Sequence, residues 1–267
     1  MALSVQAPRL AGVQGVSDTG TVRRHNEDCF LADVPLGLAA VADGMGGHRA
    51  GALASATALA VLQDMLAAAP STARVDQDPD ATAVDVRWRQ AGLLRHAIAG
   101  ANAALYRENR AHGQAEGQGM GTTLTGWQYL PGQAAIVAFH VGDSRLYRWR
   151  AGLLEQLTRD QTAYQLALES GAGGALPPQN MLLQAVGPAA GVAPDIALHE
   201  VRAGDLLLLC SDGLHGWVPH AELQQQLDDA PPALERLCAE LVALAKRHGS
   251  RDNITAVAAR FVPGDPP

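Results

Sequence analysis

The order of apolar segments predicts an α+β fold in which antiparallel sheets are layered with helices. Short apolar runs cluster at the start, middle and end of the chain, whereas helix-forming stretches come in long blocks. A doubly wound parallel fold would instead alternate strands and helices regularly. With 267 residues, 48% of them hydrophobic, the chain can bury a large core, and it shows no internal repeat or linker. We therefore expect a single domain over residues 1–267, with a frayed, proline-rich tail from about residue 262.

The individual elements follow from residue type and spacing. Helices are expected where alanine and leucine dominate or where apolar residues recur at helical spacing: residues 52–68, 86–110, 162–170, 221–227 and 233–248, the last ended by Gly249. Short apolar runs bounded by turn residues are expected strands: 13–16, 28–34, 36–42, 122–130, 134–141, 144–150, 201–202, 205–210 and 254–261. The polar or glycine- and proline-rich stretches 70–82 and 171–180 are expected loops.

Composition argues against several classes of function. The net charge is −7 and no Lys/Arg-rich stretch occurs, so the basic footprint of a nucleic-acid-binding protein is missing. An acidic protein that handles anionic substrates needs local positive charge, from a metal or from placed arginines. No segment resembles a secretory leader, and no apolar run approaches the ~20 residues that span a bilayer. We expect a cytoplasmic monomer without a membrane span.

Three cysteines, Cys29, Cys210 and Cys238, are odd in number and lack CxxC spacing. Free thiols in a reducing compartment are the expected state. Cys29 and Cys210 each lie near a candidate metal-binding carboxylate, which leaves a zinc–thiolate site as an alternative. Small buried core residues are the favoured interpretation.

Aspartates stand at the ends of several apolar runs. Asp43, Asp143 and Asp212 each follow such a run beside a glycine, while Asp252 lies just before the run 254–261. A carboxylate at the edge of a core is costly to desolvate unless its charge is compensated. The neighbouring glycines allow sharp backbone turns. Four such acids indicate carboxylates gathered around hard cations such as Mg²⁺ or Mn²⁺.

The segment RRHNEDCF (23–30) places an arginine four residues before the acid pair Glu27 and Asp28. Neighbouring side chains on a strand point to opposite faces, so one acid can serve a metal while the other is structural. Arg23 suits phosphate, because its planar fork matches phosphate oxygens. A charged hairpin edge without a ligand is the alternative interpretation.

The segment VADGMGGHRAG (41–51) leaves a buried run at Asp43 and continues through glycines. Such a turn can bring the Gly44 carbonyl to a cation together with the Asp43 carboxylate. A strained strand-to-helix turn with no ligand is the alternative, and the Lys-Ser/Thr pair of a phosphate loop is missing. Three further segments, VGDSRLY (141–147), LCSDGLHG (209–216) and SRDNIT (250–255), are weak turn signals individually.

Taken together, the segments resemble the metal-dependent protein phosphatases of the protein phosphatase 2C type, in their compact bacterial form. RRHNED, VADGMGGH, GMGTTLT (119–125), VGDSRLY, CSDGLHG and RDNIT occur in the family's order across nearly the whole chain. The resemblance implies a four-layer α-β-β-α sandwich of two antiparallel sheets with a metal cleft at one end. It also implies a protein-serine/threonine phosphatase that acts on phosphorylated proteins and opposes a cognate bacterial serine/threonine kinase in signalling.

The same resemblance implies two Mn²⁺ or Mg²⁺ ions and names their ligands. Asp43 matches the carboxylate that bridges the two ions. The Gly44 carbonyl and, through water, Glu27 match ligands of the second ion. Asp212 and Asp252 match carboxylates at the first ion.

Further roles also follow from the resemblance. Asp143 matches the acid of a third, weakly held ion, and Arg23 matches the phosphate-binding arginine. Asp28 and Asn253 are expected to be supportive. The implied reaction is in-line attack of a metal-bridging hydroxide on phosphorus, with Arg23, Asp43 and Asp212 as the expected catalytic residues.

The chain departs from the family pattern in two places. Met45 stands where eukaryotic relatives carry a histidine assigned as general acid, so leaving-group protonation is expected from metal-bound water. His48 lies nearby, with a structural role favoured over a catalytic one. Asp-Gln-Thr (160–162) replaces the Asp-His-Ser of many relatives, and the following flap, residues 162–187, is short and rich in Gly, Ala and Pro. The short flap leaves substrate selectivity open.

Two other functions stay open as alternatives. The chain could dephosphorylate a regulator of the anti-sigma-antagonist kind, although such phosphatases usually carry sensor domains. It could also be a catalytically inactive, phosphatase-like scaffold that binds phosphoproteins, which loss of the metal acids would favour. His140, inside an apolar run, is expected in the core, and His215, close after Asp212, is a candidate neighbour of the metal ligands.

Overall fold

The computed structural model describes residues 7–47, 49–69, 85–171 and 174–264. Its strands are β1 (Pro8–Asp18), β2 (Asp28–Asp33), β3 (Leu38–Met45), β4 (Gly121–Thr122), β5 (Leu124–Leu130), β6 (Ala135–Val141), β7 (Arg145–Arg150), β8 (Leu153–Gln156), β9 (Asp195–Glu200), β10 (Leu206–Cys210) and β11 (Ile254–Pro263). Its helices are α1 (Arg49–Ala67), α2 (Val86–Ala111), α3 (Ala163–Ser170), α4 (Asp212–His215), α5 (His220–Asp228) and α6 (Leu234–Arg247).

The strands form two antiparallel sheets. One sheet has the order β1-β11-β10-β7-β8, and the other has the order β2-β3-β5-β6-β9, with β4 paired to β3. The pairings between these strands are antiparallel in both sheets. The predicted α+β class with two antiparallel sheets is therefore confirmed.

Strand β3 shows why the molecule has layers on both sides of each sheet. Its residues Leu38, Ala40 and Ala42 pack in the cluster that includes α1 and α2. Ala39 and Val41 face the opposite way, into the core between the two sheets. Because side chains alternate along a strand, a run that is apolar at every position must be covered on both faces.

Strand β10 repeats this arrangement in the other sheet. Leu206, Leu208 and Cys210 pack with the cluster that includes helices α4, α5 and α6. Leu207 and Leu209 enter the core between the sheets. The order of layers is thus helices, sheet, sheet, helices, as the family resemblance implied.

Most element boundaries agree with the sequence pattern, and several helix ends have visible caps. The Asp85 side chain accepts a hydrogen bond from the Arg87 amide at the start of α2, and Thr162 caps α3 through the Gln165 amide. Gly249, with a positive φ of 81°, follows α6 as expected. Strand β11 runs two residues beyond the predicted end at 261. The predicted loop 70–82 and His48 lie outside the described residues.

One strand prediction was wrong. The expected strand at 201–202 is replaced by β9, which ends at Glu200 and pairs with β6. β9 lies at the edge of its sheet and exposes or half-exposes every side chain, and its apolar residues are only the three at 196–198, between polar ends. Val201 is buried just beyond the strand. The predicted strand at 201–202 rested on this single apolar residue. Strand β8 and the four-residue α4 were also not predicted.

Helix α1 is long and apolar enough, by length and composition alone, to cross a membrane. This finding corrects the expectation that no stretch approaches that length. In the fold, α1 buries one face against α2 and β3, and Leu59, Leu62 and Leu66 belong to the same core cluster. Its apolar character is therefore accounted for by packing on a sheet.

Candidate metal centre

The predicted acids meet at one end of the sandwich. Asp43 lies near the end of β3, Asp143 follows β6, and Asp212 follows β10. Asp252 precedes β11, which runs antiparallel to β10, so its start lies beside the end of β10. These acids line an open cleft of about 690 Å³, together with Arg23, Glu27, Gly44 and Asn253. Among the predicted site residues, Asp28 does not line the cleft and lies beneath it, buried.

Two threonines hold the backbone of Asp43 in place. The Asp43 amide donates to Thr123 Oγ1 over 2.9 Å. The Thr122 hydroxyl and the Thr123 amide both donate to the Asp43 carbonyl, each over 2.9 Å. The segment 119–125 belonged to the family pattern, but sequence reasoning assigned its threonines no role, because the contacts join residues about 80 positions apart.

The cleft disfavours the charge of its own carboxylates. Burial, followed by Asp28 and Asp212, raises the pKa of Asp43 well above its ordinary value. Burial and then Asp212 raise the pKa of Asp143 to about 7. For Asp212, burial and then Asp252 raise the pKa to about 6, against a hydrogen bond with Asp43 that lowers it. Nearby positive charge would lower the pKa values of all three carboxyl groups and so stabilise their charged forms.

Asp28 supports the cleft from below. It is directly opposite Asp43 on the neighbouring strand. Its Oδ2 accepts hydrogen bonds from Ser211 Oγ and Thr255 Oγ1, each over 2.7 Å. These bonds join β2 to the segments that carry Asp212 and Asp252, but burial still raises the Asp28 pKa to about 6. Asp28 therefore ties the two sheets together at the metal end.

Glycine is required where Glu27 meets the turn after Asp43. The Gly44 amide donates to the Glu27 carbonyl over 3.2 Å, and Ser55 Oγ of α1 donates to the same carbonyl over 2.6 Å. A methyl group at Gly44 would lie 2.1 Å from the Gly51 carbonyl oxygen. The close approach brings the start of α1 against β2 and β3, with Glu27 at the cleft surface.

Asn253 fastens the loop that carries the candidate phosphate-binding arginine. Its Oδ1 accepts from the Glu27 amide over 2.8 Å, and its Nδ2 donates to the carbonyls of Thr19 (3.0 Å) and His25 (2.9 Å). Arg23 itself donates through Nη2 to Asp252 Oδ2 over 2.7 Å. The supportive position predicted for Asn253 is thus at the base of the Arg23 loop.

The turn at Asp143 is held by His215, the candidate neighbour of the metal ligands, and by Ser144, which had no predicted role. His215 Nε2 donates to the Asp143 carbonyl over 3.0 Å, and burial lowers the pKa of His215 to about 3, so the ring is neutral. Ser144 Oγ hydrogen-bonds Thr123 Oγ1 over 2.7 Å, which connects this turn to Asp43. The His215 ring thus contacts the backbone of a candidate ligand, Asp143.

The donor set fits a hard divalent cation. The candidate ligands are all oxygens, which Mg²⁺ and Mn²⁺ prefer. Within the described residues, the buried Asp212 Oδ1 and Asp28 Oδ1 have no hydrogen-bond partner. No three His, Cys, Asp or Glu side chains of the described chain close around a single point. An open arrangement suits Mg²⁺-type ions, which keep several waters and use one or two carboxylates each.

The zinc–thiolate alternative has no support. The three cysteines are free, and none of them lines the cleft. Burial raises the pKa of both Cys210 and Cys238 to about 12, which disfavours the thiolate that zinc needs. Cys210 packs in the helix-covered core.

Comparisons with known proteins agree with this geometry. A family model described as protein phosphatase 2C matches residues 23–257. The serine/threonine protein phosphatase PstP of Mycobacterium tuberculosis is 34% identical over 254 residues, which are 93% of this chain and 45% of PstP, so the chain spans less than half of that relative. Serine/threonine phosphatase stp of Listeria monocytogenes is 34% identical over 251 residues, 90% of this chain and 92% of stp.

A solved structure is similar over almost its full length. The crystal structure of the catalytic domain of PstP, in complex with two manganese ions, superposes with a TM-score of 0.76 at 33% identity. The match covers 95% of this chain and 99% of that domain. Both the sequence model and the shared architecture therefore show that this chain belongs to the protein phosphatase 2C family.

Proposed function

We propose that the chain is a metal-dependent protein-serine/threonine phosphatase. The observation that carries the proposal is the group of four aspartates in one cleft, three of them with raised pKa values, beside an arginine suited to phosphate. Acids arranged in this way need cations, and a phosphoester is an anion that the same cations can bind. Membership of the family and the named phosphatase relatives support this function.

Each candidate ligand has a place in the metal centre. Asp43 would be shared by two divalent ions, with the Gly44 carbonyl and Glu27 on one side and Asp212 and Asp252 on the other. The two manganese ions of the PstP catalytic domain support this number. Asp143, which also lines the cleft, would serve a third, weakly held ion. Bound ions of this kind lower the pKa of water toward neutrality and stabilise charge on phosphoryl oxygens.

The chain's own residues orient the phosphoester. Arg23 presents its guanidinium at the cleft lip, where its planar fork can hold two phosphate oxygens. Asn253 fixes the loop behind it. Thr123 lines the cleft, but its hydroxyl already accepts from the Asp43 amide and pairs with Ser144, so it is held as a support rather than freed as a nucleophile. Hydrolysis without a covalent protein intermediate is consistent with this lining.

The biological setting belongs to the same proposal. A surface cleft that is open to solvent suits a phosphorylated side chain on another protein, and a cognate serine/threonine kinase would supply that substrate. We place the protein in cytoplasmic signalling as a monomer. An inactive scaffold is disfavoured because every main metal acid is present at the cleft. Phosphatases of anti-sigma-antagonist regulators would share this site and differ in substrate.

Hydrolysis of p-nitrophenyl phosphate and of a phosphothreonine peptide tests the proposal, each with Mn²⁺ and with excess EDTA. We expect activity with Mn²⁺ and none in EDTA. Replacing Asp212 with asparagine removes a metal carboxylate at nearly constant volume and should lower kcat/KM by about 100-fold or more. Activity that persists in EDTA would refute the metal-dependent mechanism.

Asp64→Asn is the matched control. Asp64 is exposed on α1, outside the cleft-lining residues, so the same substitution there should leave the rate unchanged. Circular dichroism of both variants separates lost chemistry from lost folding. A wild-type rate in Asp212→Asn would remove Asp212 from the metal centre.

A further inference from the structure

The loop before β2 gives one lip of the cleft a positive charge. Val22, Arg23, Arg24 and His25 line the cleft, and we call residues 22–25 the cationic lip. Apart from the candidate metal ligands, the cleft-lining residues that the other described segments supply are uncharged. Bound cations would balance the charge of the ligand acids, so the cationic lip is the part of the rim that can attract a further anion.

Backbone contacts hold the cationic lip beside the metal centre. Asn253 Nδ2 donates to the carbonyls of Thr19 and His25, so one side chain holds both ends of the loop. Between them, Gly20 has a positive φ of 77°, and a methyl group there would lie 2.1 Å from the Asp252 carbonyl oxygen. The loop therefore packs directly on the segment that carries two residues of the site. Side chains on a backbone that is already ordered lose less freedom when they bind a ligand.

The two arginines of the cationic lip differ in their partners. Arg23 donates to Asp252 Oδ2 over 2.7 Å. Arg24 is exposed and makes no hydrogen bond or ion pair with another residue that the structure describes. Arg24 is thus the cleft-lining arginine whose guanidinium can bind a ligand without leaving a partner within the described chain.

A phosphopeptide in an extended conformation would bring a second side chain to Arg24. The Cα atoms of Arg23 and Arg24 are about 3.8 Å apart. An extended chain advances about 3.3 Å per residue, and its side chains alternate between two faces. When the phosphorylated side chain points into the cleft toward Arg23, the residues two positions away point the same way, whereas the immediate neighbours point outward. A residue two positions from the phosphorylated one therefore comes within reach of the Arg24 side chain.

We propose that Arg24 is a specificity-determining residue, which binds the carboxylate of an acidic residue two positions from the phosphorylated residue of a protein substrate. The inference deepens the proposed function and rests on it. An unpartnered guanidinium supplies a single positive charge and a planar fork, both of which match one carboxylate. The protein carries a net charge of −7 and as a whole repels acidic peptides, so a preference for them requires a local contact of this kind.

Phosphothreonine peptides that differ at one position test the contact. One peptide has alanine at every flanking position, and the others carry a single Glu before or after the phosphothreonine, either two residues away or directly adjacent. With Mn²⁺ and low salt, we expect kcat/KM for one of the two spaced Glu peptides to exceed that for the alanine peptide by about 5-fold, as for an exposed ion pair. An adjacent Glu should give no such gain. The gain should vanish at about 0.5 M salt, because exposed charges are then screened.

Charge reversal at Arg24 provides the sharpest variant. Arg24→Ala should remove the gain, and Arg24→Glu should reverse it, so that a peptide with Lys at the same position becomes the better substrate. The kcat/KM for p-nitrophenyl phosphate, which has no flanking residues, should change much less. Arg247→Glu is the matched control, because it makes the same change of charge at an exposed residue that does not line the cleft. It should keep the peptide preference of the wild type.

Three results would overturn the role of Arg24: equal kcat/KM for the alanine and Glu peptides, an equal gain from an adjacent Glu, or a preference that survives in Arg24→Ala. If Arg24→Ala raised KM for p-nitrophenyl phosphate as much as for the Glu peptide, Arg24 would hold the transferred phosphoryl group instead, which also contradicts the inference. A wild type inactive on every substrate would refute the proposed function. The labelled peptides would then stay intact in Mn²⁺, and their dissociation constants, measured by fluorescence anisotropy, would still decide the preference.

Discussion

Arg23 illustrates how a single residue of this cleft can serve two partners. In the structure it pairs with Asp252, and the two side chains are 53% and 31% exposed. An ion pair so open to water contributes only about 0–1 kcal/mol. A phosphoryl group offers the same guanidinium two oxygens in a matching plane. Arg23 can therefore leave Asp252 for substrate at little cost, which also frees Asp252 for a cation.

Replacing Arg23 with alanine should weaken substrate binding more than turnover. A hydrogen bond to a charged group contributes about 1.5–3 kcal/mol, so we expect KM for p-nitrophenyl phosphate to rise about 10-fold or more while kcat changes less. Arg247→Ala, on the exposed end of α6, removes the same charge at a residue that does not line the cleft and should leave KM unaltered. Steady-state kinetics with saturating Mn²⁺ measure both, and an unchanged KM in Arg23→Ala would exclude the phosphate role.

Among the described α-helices, α4 is the shortest and yet carries Asp212. Its four residues are too few to show a periodic pattern, which is why the sequence did not predict it. Its place is set by contact with the turn before β11. A methyl group at Gly213 would lie 1.8 Å from the Asn253 carbonyl oxygen, so only glycine permits this approach. The contact brings Asp212 and Asp252 to the same side of the cleft.

Gly213→Ala should destabilise the protein by at least about 2 kcal/mol, because the clash is with rigid backbone. Gly92→Ala, in the middle of α2, meets no atom within 4 Å and should stabilise by about 0.5–1 kcal/mol through helix propensity. Urea unfolding of both variants provides the comparison. Equal free energies of unfolding would mean that α4 does not pack on the β11 turn as described.

An element can be predicted from the sequence when its own residues show the pattern that buries it, and not when only its contacts with distant segments define it. β3 and β10 are apolar at consecutive positions, so sequence alone locates them and implies cover on both faces. β9 is an exposed edge strand, and only its pairing with β6 defines it. The acids at the strand ends could be recognised from the sequence. The support of Asp43 by Thr123 could not, and for His215 the sequence indicated a place near Asp212 but not its bond to Asp143, because both supports depend on contacts between distant segments.

For the molecule as a whole, two sets of buried groups have opposite effects on the free energy of unfolding as pH changes. Burial raises the pKa values of Asp43 and Asp143, so without metal the folded state keeps protons that the unfolded state releases. His140 acts in the other direction. Thr125 Oγ1 donates to the Ser144 carbonyl and so accepts from His140 Nδ1, and burial lowers the His140 pKa. The unfolded imidazole loses its proton around pH 6.5, so the effect of the histidines fades above that pH and the acids dominate.

Stability between pH 6.5 and 8 should therefore depend on metal. In EDTA the folded protein releases carboxyl protons across this range, and the unfolded chain has none left to release. The free energy of unfolding should then fall as pH rises, by up to about 1.4 kcal/mol per pH unit for each proton. Saturating Mn²⁺ holds the carboxylates ionised, so the decline should disappear, with added stability of about 2.7 kcal/mol at 100 times the dissociation constant.

Urea unfolding followed by tryptophan fluorescence at pH 6.5, 7.2 and 8.0 measures this dependence, with EDTA and with Mn²⁺. Asp143→Asn removes one of the two acids and should flatten the decline in EDTA. Asp64→Asn, whose carboxylate is exposed on α1, should leave the decline as in the wild type. If stability in EDTA rose with pH, or fell equally in Mn²⁺, the cleft carboxylates would not be the groups that need the metal charge.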